Sequence, residues 1–402
     1  MTFTPCEDMR APGAPDVGSA ASGVRYEDFF PYYAEFSALS EFRKKPGCGI
    51  EISSGMGGHS ILYLNGVKVD RSTGYPILRL CRPNEAPEKH GTGISVNSHY
   101  RNANWVAVEG REFLMRGALG EEEPLTRLNY AKTQARAREM GILEGIEFHP
   151  RFFRNKPPGM SKEEYMYEIS VATDYGVRFG RNAYSARVPL DSSRMGAVVE
   201  YLNALNHPYR EGKRLYNWKL FNNNCVHVCH NALAHAGVWA PWPTGQAAVV
   251  AAFRFPVPKN TFVDLMLRTN DLPIEDPLAL YADPFVRETL LRWGTLPVGA
   301  GGLATSEPVI LRNEIYDVAR TLKLIFYDNP FWGPYRLHFR RIFTDLRYTD
   351  LKTNLCHFAA RYAVSPGCQD LVHASFSKGY GEHVSRAASE VSAMLIRLGD
   401  AA

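Results

Sequence analysis

Cys225 has the sharpest chemical setting in this chain. It follows Asn222, Asn223 and Asn224 in the stretch Tyr216-Asn-Trp-Lys-Leu-Phe-Asn-Asn-Asn-Cys-Val-His-Val-Cys-His-Asn-Ala-Leu-Ala-His-Ala-Gly237. Asparagine is a poor helix-interior residue and a good cap. Val226, Cys229, Leu233 and Ala236 then recur on one helical face, and Gly237 suits a stop. The spacing predicts a helix whose first residue is Cys225. At that position free backbone N–H groups and the positive end of the helix dipole favour thiolate over thiol, which predicts a lowered pKa. The same N–H groups can hold the oxyanion of an attacked carbonyl, with neighbouring asparagines as further donors.

A thiol nucleophile needs a base from elsewhere in the fold, because the sequence neighbours of a helical cysteine reach its sulfur poorly. His59 fits that need. It follows Gly55-Met-Gly-Gly58 and opens the strand-like run Ile61-Leu-Tyr-Leu64. Asn65-Gly66 supplies the positive φ of a tight turn before Val67-Lys-Val69, so a hairpin is expected with His59 at the mouth of its first strand.

Gly-His-Ser-Ile-Leu-Tyr-Leu before a hairpin turn, followed much later by a strand, a helix, a tyrosine and Asn-Cys opening a second helix, resembles the circularly permuted NlpC-type papain-like superfamily. That group includes the lecithin:retinol acyltransferase-like proteins and related bacterial families. The resemblance covers roughly residues 48 to 240, and its histidine precedes its cysteine, the reverse of papain. It implies a permuted papain-like antiparallel sheet with packed helices, Cys225 as nucleophile and His59 as general base. It also implies a polar residue, on the strand after the hairpin, that orients the imidazole. Asp70 matches that third position with a hairpin one residue shorter than the acyltransferase-like pattern; His99, Asn97 and Asn102 are the alternatives. The implied reaction is attack on an amide, peptide or isopeptide carbonyl through a thioester that water releases, with no cofactor. Displacement by an amine or lysolipid would instead make an acyltransferase.

Other readings compete. A lone cysteine near a helix start is usually a packing residue, and a lone histidine is usually structural. On that basis the chain is a binding or scaffold protein with a papain-like frame, its helical extension engaging a partner. Cys225 and Cys229 form an i, i+4 pair that, with His227, His230 and His235, invites a zinc reading. His227 and His230 point off that face and no second ligand pair is evident, so no metal is expected and Cys229 is assigned to packing with Val226 and Leu233. Arg336, His338, Arg340, Arg341 and Arg347 interleave with Tyr335, Phe339 and Phe343. They read as the solvated side of an amphipathic helix, with Leu337, Phe343 and Leu346 inward, and not as a nucleic-acid surface. Gly55-Met-Gly-Gly58 and Gly299-Ala-Gly-Gly302 lack the lysine and hydroxyl residue of a phosphate loop.

The elements that must position these residues follow from composition and periodicity. In 402 residues, 45% hydrophobic and 12% aromatic content supports a large core, in two domains or one elaborated domain. Lys+Arg 46 against Asp+Glu 42 leaves +4, too little to point to nucleic acid. Seven sparse cysteines suit a reducing compartment better than a disulfide framework.

Residues 1–25 read as a flexible lead without a Sec-type signal pattern. The most apolar run, Gln246-Ala-Ala-Val-Val-Ala-Ala-Phe253, is far short of the ~20 residues of a membrane helix. A cytoplasmic protein, or one exported without a cleaved Sec signal, is expected. Residues 26–256 form the expected catalytic domain. Strands are expected from about Tyr26 to Gly117, with a second hairpin over residues 104–109 and 113–115, and again over 165–172 and 184–189. Helices are expected from 124 to 140, ended by Gly141, and from a cap at Asp191 to Asn206-His-Pro208. Residues 257–402 read as a mainly helical extension, with amphipathic segments over 315–326 and 384–395 and a Gly/Pro-rich link over 296–303. The predicted class is α+β.

Overall fold

Apolar and polar residues alternate along this chain in short runs that become strands. In a computed structural model of the protein, residues 25–52, 58–220, 223–244, 257–319, 328, 334–365 and 373–400 are described. The strands are β1 (Tyr33–Leu39), β2 (His59–Asn65), β3 (Val67–Asp70), β4 (Ile77–Leu80), β5 (Gly91–Ser95), β6 (Val106–Glu109), β7 (Ala183–Pro189) and β8 (Leu303–Glu307). Six of them form an antiparallel sheet in the order β6-β5-β2-β1-β7-β8, and β3 pairs with β4 in a small sheet of its own. The class is α+β. β1 and β2 are buried along their whole length.

The helices are α1 (Tyr26–Phe29), α2 (Arg111–Arg116), α3 (Arg127–Glu139), α4 (Lys162–Ser170), α5 (Ser192–Arg210), α6 (Cys225–His235), α7 (Pro258–Asp271), α8 (Pro277–Ala282), α9 (Pro284–Trp293), α10 (Tyr335–Thr344), α11 (Leu351–Val364) and α12 (Ala374–Asp400). Successive strand residues point to opposite faces, and the sheet is sorted accordingly. Ala34, Phe36 and Ala38 of β1 stand opposite Leu64, Leu62 and Ser60 of β2. This face is covered by α6 on β2 and α7 on β1 and β7. Tyr184 of β7, opposite Ala38, meets Phe339 and Phe343 of α10. Tyr33, Glu35, Ser37 and Leu39 look the other way with Tyr63, Ile61 and His59, toward α2.

On that second face Glu35 is fully buried and accepts from Arg111 of α2 at 2.9 and 2.8 Å and from Arg187 of β7 at 3.1 Å. Arg111 also pairs with Glu307 of β8, which Arg178 reaches at 3.1 Å. Burial alone would raise the Glu35 carboxyl, but the two guanidinium groups overcome it and hold it at about 2. Beyond residue 257 helices predominate, yet the 296–303 link leads into β8, so this region supplies the edge strand of the sheet.

Several local expectations are corrected. The Asn65-Gly66 turn forms, with Gly66 at φ +80°, but β3 leaves β2 instead of pairing with it. The Gly66 N–H donates to His90 and its carbonyl accepts from Cys81, so the turn is bound to other segments and β5 takes the place beside β2. Residues 113–115 lie in α2, because the chain breaks at Gly110 with φ +82°. The Tyr165, Tyr167, Ile169 alternation belongs to α4. There Ser161 accepts from the Glu164 N–H at 3.0 Å and Glu164 accepts from the Ser161 N–H at 2.7 Å, a reciprocal cap that sets a helix. α3 starts from Thr126 and is followed by Gly141 at φ +61°. α5 starts at the Asp191 cap but runs through Pro208, since a proline one turn from the end removes little of the ladder.

Residues 315–319 are irregular, while Leu322 and Phe326, residues 1–24 and the 246–253 run lie outside the described residues. In α10 the inward side chains are Phe339, Ile342 and Phe343, with Leu337 exposed; Leu346, beyond its end, is exposed too. Among the described residues no helix is long and apolar enough to cross a membrane.

Replacing Glu35 with Gln leaves two guanidinium groups short of their charge partner inside the protein. The expected cost is about 3–5 kcal/mol at neutral pH, read from urea unfolding. Because the folded pKa lies below the ordinary 4.5, the carboxylate's contribution is present above about 4.5 and is lost as pH falls toward 2. The deficit of Glu35→Gln should therefore shrink over that interval; an equal deficit at pH 7 and at the acid end contradicts the assignment.

Candidate active site

Asn224 fixes where α6 begins. Its Oδ1 accepts from the His227 N–H at 3.1 Å and lies 2.9 Å from the ring Nδ1, while its Nδ2 donates to Leu220 at 2.6 Å. Cys225 is therefore the first residue of the helix, as its sequence setting predicts. The thiol is buried, with the residue 8% exposed. Ser60 of β2 faces both Cys225 and Cys229 across the packing of α6 on the sheet.

Burial raises the Cys225 thiol above its ordinary value. The Ser60 hydroxyl and the backbone N–H groups of Ser60, Val226 and Cys225 pull it down without reversing the shift. The expected lowering at a helix start is thus corrected: the N–H groups act in the anticipated direction, and desolvation outweighs them. Cys229 is raised by the same burial.

His59 precedes Ser60 and so points to the opposite face, beside Leu39 and Ile61. Its hydrogen bond goes to Ser95 of β5, with Nε2 3.2 Å from Oγ, and not to Cys225. The Ser95 hydroxyl donates to Asp174 Oδ1 at 2.7 Å. With its proton directed there, Ser95 can only accept from the ring, which places the imidazole proton on Nε2 and leaves Nδ1 as the basic nitrogen. Asp174 is fully buried and raised by burial, against the donors Tyr100, Ser95, Ser170 and Asn97 that face it. Burial, and then Arg181 and Lys259, push His59 down to about 3, so it is neutral at ordinary pH.

Arg181 and Lys259 act on both groups. Arg181 donates from Nε to Ala172 at 2.7 Å and from Nη1 to Ser40 at 2.6 Å, with its guanidinium 4.3 Å from the Phe42 ring centre. Lys259 of α7 donates from Nζ to Leu39 at 2.8 Å. Cys225 is among the groups that hold each cation's charge up. His59, Arg181 and Lys259 gather where β1 ends and β2 begins.

Asp70 lies elsewhere. It is exposed at the end of β3, opposite Ile77 in the small sheet, and accepts from the Ser72 N–H at 2.8 Å. Because β5 and not β3 lies beside β2, the residue in position to orient His59 is Ser95. Of the alternatives, Asn97 reaches the Asp174 cluster. His99 packs at 4.3 Å edge-on to Phe152 and against Phe148, and Asn102 ties the backbone of Gly145 and Glu147. The α6 histidines are engaged in packing and capping. His227 meets the Asn224 cap, His230 lies between Trp239 and Trp242, and His235 stacks on Tyr201. Among the described residues no group of three or more metal-ligating side chains converges.

Ser60, Ser95, Asp174, Arg181 and Lys259 carry no sequence signal of their own. A serine in a strand and a lysine in a helix read as ordinary surface residues until the pairing of β2 with β5 and the packing of α7 are known. The tautomer is testable by nitrogen NMR of the imidazoles. Wild type should show His59 protonated at Nε2, and Ser95→Ala should relax it toward a mixture; a wild-type ring protonated at Nδ1 contradicts the Ser95 assignment.

In comparison with known proteins, no protein-family model, no curated protein and no solved structure matches the chain.

Proposed function

We propose that the protein is a cysteine-dependent hydrolase with a permuted papain-like design, acting on an amide, peptide or isopeptide carbonyl. The supporting observation is the place of Cys225 at the first position of α6, directly after the Asn224 cap, with Ser60 of β2 facing its thiol. The N–H groups at this position offset part of the burial penalty on the thiolate, and such groups can hold the oxygen of a carbonyl the sulfur attacks.

In this mechanism Cys225 Sγ bonds to the carbonyl carbon as its proton passes to Nδ1 of neutral His59. The C–O π electrons move to oxygen, which the N–H groups hold. The oxyanion then collapses to a thioester, and the leaving amine takes the proton from His59. Water, deprotonated by the same nitrogen, cleaves the thioester and restores the thiol. Ser95, backed by Asp174, fixes the tautomer on which both transfers depend. Because His59 stands on the opposite face of β2 from the Ser60 that faces Cys225, these transfers require the imidazole to swing round the sheet end when substrate binds; an imidazole that stays on Ser95 leaves Cys225 without its base.

One observation favours a non-catalytic binding protein instead: both residues are nearly enclosed, and His59 bonds Ser95. Iodoacetamide labelling separates the two. In the hydrolase reading Cys225 alkylates in the native protein. Its rate falls about a hundredfold or more in His59→Ala, from the low end of general-base effects upward, and is kept in Cys229→Ala. A Cys225 that resists labelling in the folded protein, or labels equally fast in His59→Ala, assigns it to packing.

A further inference from the structure

A recess of about 280 Å³ opens between residues 48–50, α3, the turn over 157–160 and Ile315, and neither Cys225 nor His59 lines it. Its floor is a polar network. Lys44, 5% exposed, ion-pairs with Glu168 of α4 and donates to the Tyr130 hydroxyl of α3 at 2.8 Å. The other Glu168 oxygen accepts from Gln134 Nε2 at 2.6 Å. Gly49, at φ +82°, lets the chain lie close to this carboxylate, since a Cβ there would stand 3.1 Å from Oε1. Ile50, Pro157, Met160 and Ile315 make the walls apolar.

Arg127, the first residue of α3, is the cation among the lining residues. Its backbone N–H donates to Glu314 Oε2 at 2.9 Å, while its guanidinium forms no ion pair among the described residues and meets Cys48 Sγ at 3.9 Å. These charges select the guest. Both Glu168 oxygens are already held, one by an ammonium and one by an amide, so a cationic guest would have to break a buried ion pair. A neutral apolar guest would take water from the Arg127 guanidinium and return no hydrogen bond. A carboxylate offers that guanidinium two parallel charge-assisted hydrogen bonds. One guanidinium balances one charge, which suits a carboxylate better than a phosphate dianion. The volume lies at the low end for small-molecule sites, so the body attached to the carboxylate is small.

We propose that this recess binds a small carboxylic acid as its anion, with the carboxylate on Arg127 and an apolar body against Ile50, Met160 and Ile315. The Lys44–Glu168–Gln134 network holds the floor in place before the ligand arrives, so little ordering accompanies binding. The site is separate from the Cys225 chemistry and does not depend on it.

Cys48 is a half-buried free thiol in the lining and reports occupancy, while Cys356, exposed on α11, serves as the control. The test follows iodoacetamide labelling of both cysteines by peptide mass spectrometry at constant ionic strength. The probes are benzoate and hexanoate, each compared with its neutral amide. Each acid should slow labelling of Cys48 and leave Cys356 unchanged. Its amide should need about tenfold more for the same slowing, a differential of ~1.4 kcal/mol. Arg127→Met should bring acid and amide together, and Arg127→Lys should keep most of the preference; Arg127 is exposed, so neither change disturbs the core. Neither acid slowing Cys48, or both acids protecting no better than their amides in wild type, overturns the proposal without reference to any variant. An acid preference that survives in Arg127→Met removes Arg127 from the site and overturns it too.

Discussion

The register between β1 and β2 is the constraint on which the rest of this structure depends. Leu39 stands opposite His59 and Ala38 opposite Ser60, and strand alternation then sends the imidazole to one face and the hydroxyl to the other. A one-residue slip would exchange them. Ser60 would then leave the thiols of α6, and His59 would leave the Ser95–Asp174 chain. The same register brings the carbonyls of Leu39 and Ser40 to the sheet end, where Lys259 and Arg181 hold them.

That register is secured from both faces. On one, apolar side chains of β1 and β2 pack beneath α6 and α7. On the other, Glu35 draws Arg111 and Arg187 into a buried ionic cluster that Glu307 extends to β8. A charge cluster of this kind contributes little net stability relative to an apolar core, but it tolerates few alternative pairings. Arg111 of α2 and Arg187 of β7 share Glu35 only with β1 in place, and Arg111 carries the cluster on to Glu307 of β8. The helical region after residue 257 is therefore part of the frame that presents the site, through β8 in the sheet and Lys259 on α7.

The α6 half of the site was legible in the sequence because its signals are local. An asparagine cap, a helical stripe and a terminal glycine set α6 and put Cys225 first. The Asp191 cap and the Asn65-Gly66 turn were legible for the same reason. What the turn leads to was not: Asn-Gly fixes a local φ, whereas the choice of β5 over β3 as the partner of β2 depends on bonds to His90 and Cys81, remote from the turn. Asp70 was expected beside His59 on the strength of that hairpin, and Ser95 takes its place. α4 was concealed by an accidental alternation of aromatic residues. The direction of the Cys225 shift could not be read either, because it is decided by burial, a property of the tertiary fold.

The central claim is that the sulfur of Cys225 takes part in acyl chemistry. The most direct measurement is peptide mapping by mass spectrometry after brief exposure of the native protein to p-nitrophenyl acetate. The account predicts an acetyl thioester on Cys225 that decays with time in buffer, is absent in Cys225→Ser and persists longer in His59→Ala, which lacks the base for hydrolysis. Acetylation confined to surface lysines or to Cys48 and Cys356, unchanged in Cys225→Ser, would contradict it and leave Cys225 as a packing residue of α6.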